Sequence, residues 1–590
     1  PTNMGLSLLA NLAAYDFGYI PAGSLIARTA SAMGTMNTLE RYEGHFYNWY
    51  DTQTLKPLPP LYVSAVDSGN LAGHLMTLRP GLVALADDRL IGPRWFEGLS
   101  DTLRCLDEAV GGVSQAPQVR LRVALDAACA LEPATIADAR RSLDRIQVDV
   151  TEVALHVAGL PYPDFPGEPE ADSHASYWAD ALVRQCRALR EEIDLVTAWI
   201  AAPEAPDGSR DPGAGHRIPT LRELAALEGG VGPATERMAL IARLARQCEE
   251  LARMDYGFLY DADRHLLAIG YNVAQGRVDP SCYDLLASEA RLACFVAISQ
   301  GRLPQESWFA LGRLLTASGR GPVLLSWSGS VFEYLMPLLV MPTYDNTLLD
   351  QTYRAMVERQ IAYGKQRGVP WGISESGYNA VDAGLNYQYR AFGVPGLGLK
   401  RGLADDLVVA PYASALSLMV KPEEACLNLQ RLCAEGLAGR FGLYEAIDYT
   451  PARVPRGQAG AIVRSFMAHH QGMILLSVAH ALLARPMQRR FESDPLFKAS
   501  LLLLQERIPR AAGFHAQSPE LSASHGLSAG PEVPVRVIGT PDTPTPEVQL
   551  LSNGRYHVMV TNAGGGSSRW RDLAVTRWRE DTTRDNWGTF

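Results

Sequence analysis

Apolar residues at helical spacing recur along most of this 590-residue chain. Leu6, Leu9, Leu12 and Ala13, then Ile20, Leu25, Ile26 and Met33, fall on one face of a 3.6-residue period, and similar stripes return up to about residue 510. The body is therefore expected to be mainly α. From about 85 to 198 the helical pattern is more charged and carries no chemical motif, which reads as a helical insertion. It ends in a loop-type run rich in Pro, Gly and Asp, from Ala202 to Pro219. After Phe514 the character changes, because prolines, alternating β-type residues and an Asn553-Gly554 turn signal follow one another. A second, all-β module is expected there. About 50 residues are too few for a sheet domain of its own, so it should pack on the helical body or be cut short.

Composition excludes several classes. With 47% hydrophobic and 20% charged residues the chain is globular. Lys and Arg number 54 against 64 Asp and Glu, a net charge of −10, and no dense basic run appears, so nucleic acid and anionic membrane are not expected partners. The eight cysteines are scattered without a CxxC pair and read as reduced core thiols. The most apolar stretch, Val323 to Met341, holds Ser326, Ser328, Ser330 and Glu333 and is too polar at its centre to span a bilayer. Pro1 leads straight into a helical pattern, as in a piece excised from a longer protein.

Three clusters hold the chemistry. In the first, HFYNWYDTQT supplies Tyr47, Trp49, Tyr50 and Asp51, and VDSGN supplies Asp67 and Asn70. Aromatic faces beside short polar side chains suit the stacking and directional hydrogen bonds that a pyranose needs, although Trp49 and Tyr50 would serve equally as core aromatics. In the second, SWSGSVFEYLMP, PTYDN, WGISESGYN and NYQYRAFGVPGLG bring Trp327, Glu333, Tyr344, Asp345, Trp371, Tyr378, Asn379, Tyr387, Tyr389 and Arg390. Glycines and prolines break each helix there, which points to interhelical loops at one end of a helical barrel. The third, LYEAIDYTP and SFMAHHQGM, adds Glu445, Asp448, His469, His470 and Gln471.

Cleaving a glycoside takes two carboxyl groups, one protonated and one ionised. Glu289 has Leu285, Leu286, Leu292 and Ala293 at i±3 and i±4, which puts it on the apolar stripe of a helix, where burial raises a carboxyl pKa and suits a general acid. A structural glutamate paired with an arginine would look the same. Glu375 lies between Ser374 and Ser376 in a glycine-flanked loop, where hydroxyls and N–H groups are expected to keep it ionised, as a nucleophile requires. Glu333 and Glu445 compete for the same post. The adjacent His469 and His470 point to different helix faces and lack HExxH spacing, so no metal is expected. GGVG at 229–232 and the GGG at 564–566 lack the setting of a phosphate loop, and no nucleotide or other cofactor is called for.

The strings PTNMGLSLLANLAAYDFGYI, GHFYNWYDTQTL, VDSGNLAGHL, YDLLASEARLA, LLSWSGS, VPWGISESGYN, NYQYRAFGVPGLGLKRGL, YEAIDYTPARVP and SFMAHHQGM resemble, in order, the middle part of bacterial cyclic β-1,2-glucan synthases. The tail from Leu550 resembles the opening β-sandwich segment of their phosphorylase-like module. The resemblance implies an (α/α)6 barrel, with residues 1–84 as its first helices, 85–232 as insertion and loop, 233–515 as the rest of the barrel, and 516–590 as linker and start of a β-sandwich. It also implies a cyclising transglycosylase acting on β-1,2-glucan, flanked in the parent by a membrane-embedded glycosyltransferase and a phosphorylase-like module, on the cytoplasmic side of the inner membrane. The glutamate of SEARLA matches Glu289 as acid/base and that of WGISESGYN matches Glu375 as nucleophile. Swapped roles fit the same pair, and an endo-β-1,2-glucanase or a glucan-binding scaffold would share these motifs.

Overall fold

A computed structural model of the protein describes all residues except 93, 112–115, 159–173, 202–216, 319–320, 440, 510–539, 542, 544–546 and 577–590. Most of the run after Ala202 and of the proline-rich linker lies outside the described residues. The chain divides into two units, Pro1–Ser518 and Pro519–Phe590.

The first unit is mainly α. Its helices are α1 (Thr2–Asp16), α2 (Ala22–Thr38), α3 (Ala65–Ala84), α4 (Trp95–Ala109), α5 (Ala116–Leu131), α6 (Ile136–Ala158), α7 (His174–Ala201), α8 (Leu221–Leu227), α9 (Pro233–Leu251), α10 (Ala290–Ser299), α11 (Glu306–Ala310), α12 (Val331–Leu335), α13 (Leu348–Arg367), α14 (Pro411–Leu416), α15 (Pro422–Leu432), α16 (Ala468–Leu482) and α17 (Pro486–Ser493). Their ends carry local signals. Thr347 caps α13 by accepting from the Asp350 N–H, and Gly368 stops it in the left-handed region at φ 72°. Ser330 and Glu333 form a capping box on α12, and prolines open α9, α14, α15 and α17.

Six helices form a ring. α1 packs on α3, α3 on α10, α12 on α14, α14 on α16, and α16 back on α1. The link from α10 to α12 is made by Arg291, a buried guanidinium that donates to the carbonyls of Ser288 and Glu333, each at 2.9 Å, and to that of Tyr334. Each ring helix is followed by an outer helix packed against it: α2 on α1, α9 on α3, α11 on α10, α13 on α12, α15 on α14 and α17 on α16. That is an (α/α)6 barrel. Small residues set the close approaches, since a Cβ on Gly69 of α3 would lie 2.1 Å from the Ala293 Cβ of α10.

Between α3 and its outer partner α9 the chain leaves the ring for α4 to α7, which pack on one another around their own core, from Ile91 and Trp95 to Ile193 and Ile218. A buried ion pair ties this group to the barrel, with the Glu192 carboxylate of α7 2.5 Å from the Arg237 guanidinium of α9. The second unit contains an antiparallel meander of Val548–Ser552, Tyr556–Thr561, Gly566–Trp570 and Leu573–Ala574. Its first turn is the expected Asn553-Gly554, with Gly554 at φ 84° and Ser552 opposite His557.

His74 of α3 is fully buried against Gly5 of α1, where a Cβ would meet its Nδ1 at 2.5 Å, and neither ring nitrogen has a hydrogen-bond partner among the described residues. Burial lowers its pKa to about 3. An unfolded histidine, with its ordinary pKa near 6.5, binds a proton that the folded one refuses, so stability is full above about pH 6.5 and falls as pH drops toward 3. His74→Leu should remove about 2 kcal/mol of the stability difference between pH 6.5 and pH 5. Urea unfolding at both pH values measures it, and an unchanged pH dependence contradicts the assignment.

Candidate active site

The N-terminal ends of the ring helices all reach one face of the barrel, and a cleft of about 660 Å³ opens there. Its walls include Thr2 and Met4 of α1, Asp67 in the first turn of α3, Glu289 just before α10, Phe332 of α12, and Met467 and His469 at the start of α16. Glu375 and Tyr389 come from the loop and hairpin before α14, and Asn48, Trp49, Tyr50 and Asp51 from the loop after α2.

Glu289 is held by an amide. Asn70 Nδ2 donates to its Oε2 at 3.2 Å and, at 3.3 Å, to Thr2 Oγ1, which in turn donates to Asp67 Oδ1 at 2.6 Å. The expected setting on a helical stripe is not what places this residue. Leu285 and Leu286 spend their backbone on a bridge to Gly312, so the helix begins only at Ala290 and Glu289 is its N-cap. A helix N-terminus favours a negative carboxylate, yet burial first, and then the nearby Glu375 and Asp67 charges, hold the Glu289 carboxyl well above the ordinary range.

Glu375 precedes the strand Ser376–Val381, which pairs with Tyr387–Arg390 so that Gly377 faces Tyr389. This register brings the Tyr389 hydroxyl to Glu375 Oε1 at 2.9 Å. The serines do not solvate the carboxylate as expected. Ser374 Oγ is taken up by the Phe332 N–H and the Tyr412 hydroxyl, and Ser376 Oγ is buried with no partner among the described residues. Burial instead pushes the Glu375 pKa up to about 7, against the lowering effect of Tyr389.

Behind this wall lies a polar scaffold. Glu445 Oε1 accepts the Gly377 N–H at 2.9 Å, and Oε2 lies 2.9 Å from His470 Nδ1. The His470 ring stacks on Tyr412 with centroids 3.6 Å apart, and the Tyr412 hydroxyl donates to the Glu375 carbonyl at 2.9 Å. Asp448 takes the Asn379 N–H and the Arg453 guanidinium, Arg390 pairs with Asp406, and Tyr378 lies beneath both arginines. Gln471 donates to the Leu443 carbonyl. These groups hold the hairpin, and through it Glu375, in place.

Several expected substrate contacts sit elsewhere. The Glu333 carboxylate accepts the N–H groups of Trp327, Ser328 and Ser330 and the hydroxyls of Ser326, Ser328 and Ser330, so its lone pairs are spent on fixing that loop. Trp371 is core: its backbone is tied to Asn428 and Ser414, and its Cβ crowds Gly364 of α13. Tyr344 and Asp345 line a separate cleft at the C-terminal ends of the ring helices, where Tyr344 donates to Glu492. Trp327 is half-exposed, with Nε1 on Asp284, while Tyr47 and Tyr387 pack against the core. The sequence reading missed Tyr412, Asn48, Thr2, Phe332 and Met467. Tyr412 opens α14 in an apolar run and carries no polar signature.

The family model described as "Glycosyl hydrolase 94, supersandwich domain" matches residues 531–590, and that described as "Putative glucoamylase" matches residues 282–494. The cyclic beta-(1,2)-glucan synthase NdvB of Rhizobium meliloti is 38% identical over 598 aligned residues, which cover 100% of this chain and 20% of that protein. Among solved structures, a putative glucoamylase from Bacteroides fragilis aligns over 86% of this chain and 87% of that one at 13% identity and a TM-score of 0.46. A beta-1,2-glucanase from Parabacteroides distasonis aligns over 85% and 54%, respectively, at 15% identity and a TM-score of 0.38. The chain is thus related along its whole length to a cyclic β-(1,2)-glucan synthase, of which it spans about a fifth.

Proposed function

We propose that this chain is an anomer-retaining transglycosylase that cleaves linear β-1,2-glucan and rejoins it to itself, giving a cyclic product. The observation that carries the reading is the pair Glu289 and Glu375, two carboxyls with raised pKa values in one aromatic-walled cleft. The 38% identity to a cyclic β-(1,2)-glucan synthase supports the choice of glucan. Glu289, raised by burial and by the Glu375 and Asp67 charges, is suited to carry a proton, whereas Glu375 accepts a hydrogen bond from Tyr389 that favours its charged form. Glu289 is therefore the acid and Glu375 the nucleophile.

In the first half-reaction a Glu375 oxygen forms an ester to the anomeric carbon as the C1–O bond breaks. Glu289 gives its proton to the departing 2-oxygen, directly or through a sugar hydroxyl. In the second, the 2-hydroxyl at the far end of the same chain attacks that carbon, its proton returns to Glu289, and Glu375 leaves as carboxylate. No water is consumed. Trp49, Tyr50 and Tyr389 offer ring faces that would hold the bent chain and raise the effective concentration of its own end over water. In the parent protein the chain would receive linear glucan from a glycosyltransferase at the cytoplasmic face of a membrane; among the described residues no helix is long and apolar enough to cross one.

Incubating the chain with linear β-1,2-glucan tests this. Products lighter than the linear glucans by one water, without new reducing ends, are expected. Rising reducing ends with short linear products would make it a hydrolase, and an unchanged glucan a binding scaffold.

A further inference from the structure

The Tyr389 hydroxyl has one proton and three polar atoms around it: Glu375 Oε1 at 2.9 Å, His470 Nε2 at 3.3 Å and His469 Nε2 at 3.4 Å. We propose that Tyr389 is a positioning residue whose hydroxyl is shared between Glu375 and His470, bonding the Glu375 carboxylate when it is charged and turning to His470 when that oxygen carries a proton or a sugar. The inference rests on the reading of Glu375 as nucleophile.

The acceptor on His470 is fixed from behind. Glu445 is held by the Gly377 N–H and lies on His470 Nδ1, which fixes the tautomer: in the neutral ring Nδ1 carries the proton and Nε2 is left as the acceptor. Stacking on Tyr412, whose hydroxyl is itself held by Ser374 and the Glu375 carbonyl, keeps the imidazole from turning away. His469 lies farther off, and burial lowers its pKa to about 3, so it stays neutral.

The groups that face Glu375 otherwise oppose its charge. They are Asp67 of α3, Glu289 before α10, Glu333 of α12 and Glu445 behind the hairpin, while Tyr283 and Tyr412, which also face it, are kept neutral by burial and by its charge. Tyr389 gives the one hydrogen bond to this carboxylate among the described residues, and it favours the charged form. Attack needs Glu375 ionised, and ester formation leaves its oxygen a poorer acceptor. A hydroxyl with a second, bare acceptor at 3.3 Å follows both states without breaking a buried bond for nothing.

The test is the pH dependence of transglycosylation in the whole chain from about pH 5 to 9. Tyr389→Phe keeps the ring of a partly exposed residue and removes only the hydroxyl. The acid limb of kcat and kcat/KM is expected to move up by about one pH unit, with KM changed less than about twofold and the rate at pH 9 recovering to within about threefold of the parent. An equal fractional loss at every pH, or an unmoved limb, overturns the inference. Glu445→Gln alone removes a charge that opposes Glu375 and serves as the reference. Adding His470→Phe to it keeps the stack and removes the competing acceptor, so the limb should move below that of Glu445→Gln, and an upward shift or none against that reference rejects the shared hydroxyl. Glu375→Gln separates the two levels. If it keeps turnover, the nucleophile reading has failed; if it is inactive while the Tyr389→Phe profile is unmoved, this inference alone has.

Discussion

Glu375→Gln is expected to lower transglycosylation of linear β-1,2-glucan by about 10⁴-fold or more while the cleft still binds the glucan. The amide fills the same space and accepts the Tyr389 hydroxyl bond, so the pocket survives, but a neutral amide oxygen cannot form and release the glycosyl ester. Glu289→Gln should cost about 10²–10⁴-fold, because it removes only the proton transfer. The roles separate with an activated substrate and an external anion. A leaving group that needs no proton restores bond cleavage in Glu289→Ala and leaves Glu375→Ala inactive. Azide added to Glu375→Ala takes the vacated space and gives the glycosyl azide of inverted configuration, whereas in Glu289→Ala it intercepts the ester and gives retention. If both glutamine variants keep more than about a tenth of the turnover, the site lies elsewhere.

The second large effect is expected at a residue that has no side chain. At Gly69 an added Cβ would sit 2.1 Å from the Ala293 Cβ and 2.3 Å from its Cα, and neither atom can rotate away. Gly69→Ala therefore forces α3 and α10 apart, an overpacking that costs about 1–3 kcal/mol or more. Asn70 is the next residue on α3, and its 3.2 Å bond to Glu289 spans the helices being separated. A loss of about 10²-fold in kcat should accompany the lower melting temperature, since an acid misplaced by about 1 Å costs that much. Gly34→Ala of α2 is the control, because nothing lies within 4 Å of its Cβ. There the better helix former should leave both melting and rate unchanged or slightly improved. A Gly69→Ala protein that melts with the parent shows that the helices can part freely.

The helices were legible because apolar spacing and caps are local. Leu6, Leu9, Leu12 and Ala13 are all buried, as their period requires. The order of the ring was not, because which helix lies beside which depends on contacts such as Arg291 with α12, whose sequence signal is one arginine among many. Glu289 and Glu375 stood out by their neighbours, but for reasons that hold only in part. Leu285 and Leu286 are buried near Glu289 without being helical, and the serines beside Glu375 turn to other partners. Trp371 and Trp49 looked alike in sequence. One is core and the other lines the cleft, since an aromatic ring's place is settled by what the rest of the chain packs against it.

Closing the ring has a cost in time. α16 returns to α1, and the Arg490 guanidinium of α17 holds the Asp16 carboxylate at the end of α1 through two 2.6 Å contacts across 474 positions of sequence. At synthesis rates of roughly 5–20 residues per second, about 25–95 s pass between the emergence of the two partners. Throughout that interval the face of α1 that α16 will cover, with Leu6 opposite Gly472, has no final partner. A growing chain of this kind therefore keeps that face open until α16 emerges, and a stop before α16 would leave a product whose ring cannot close.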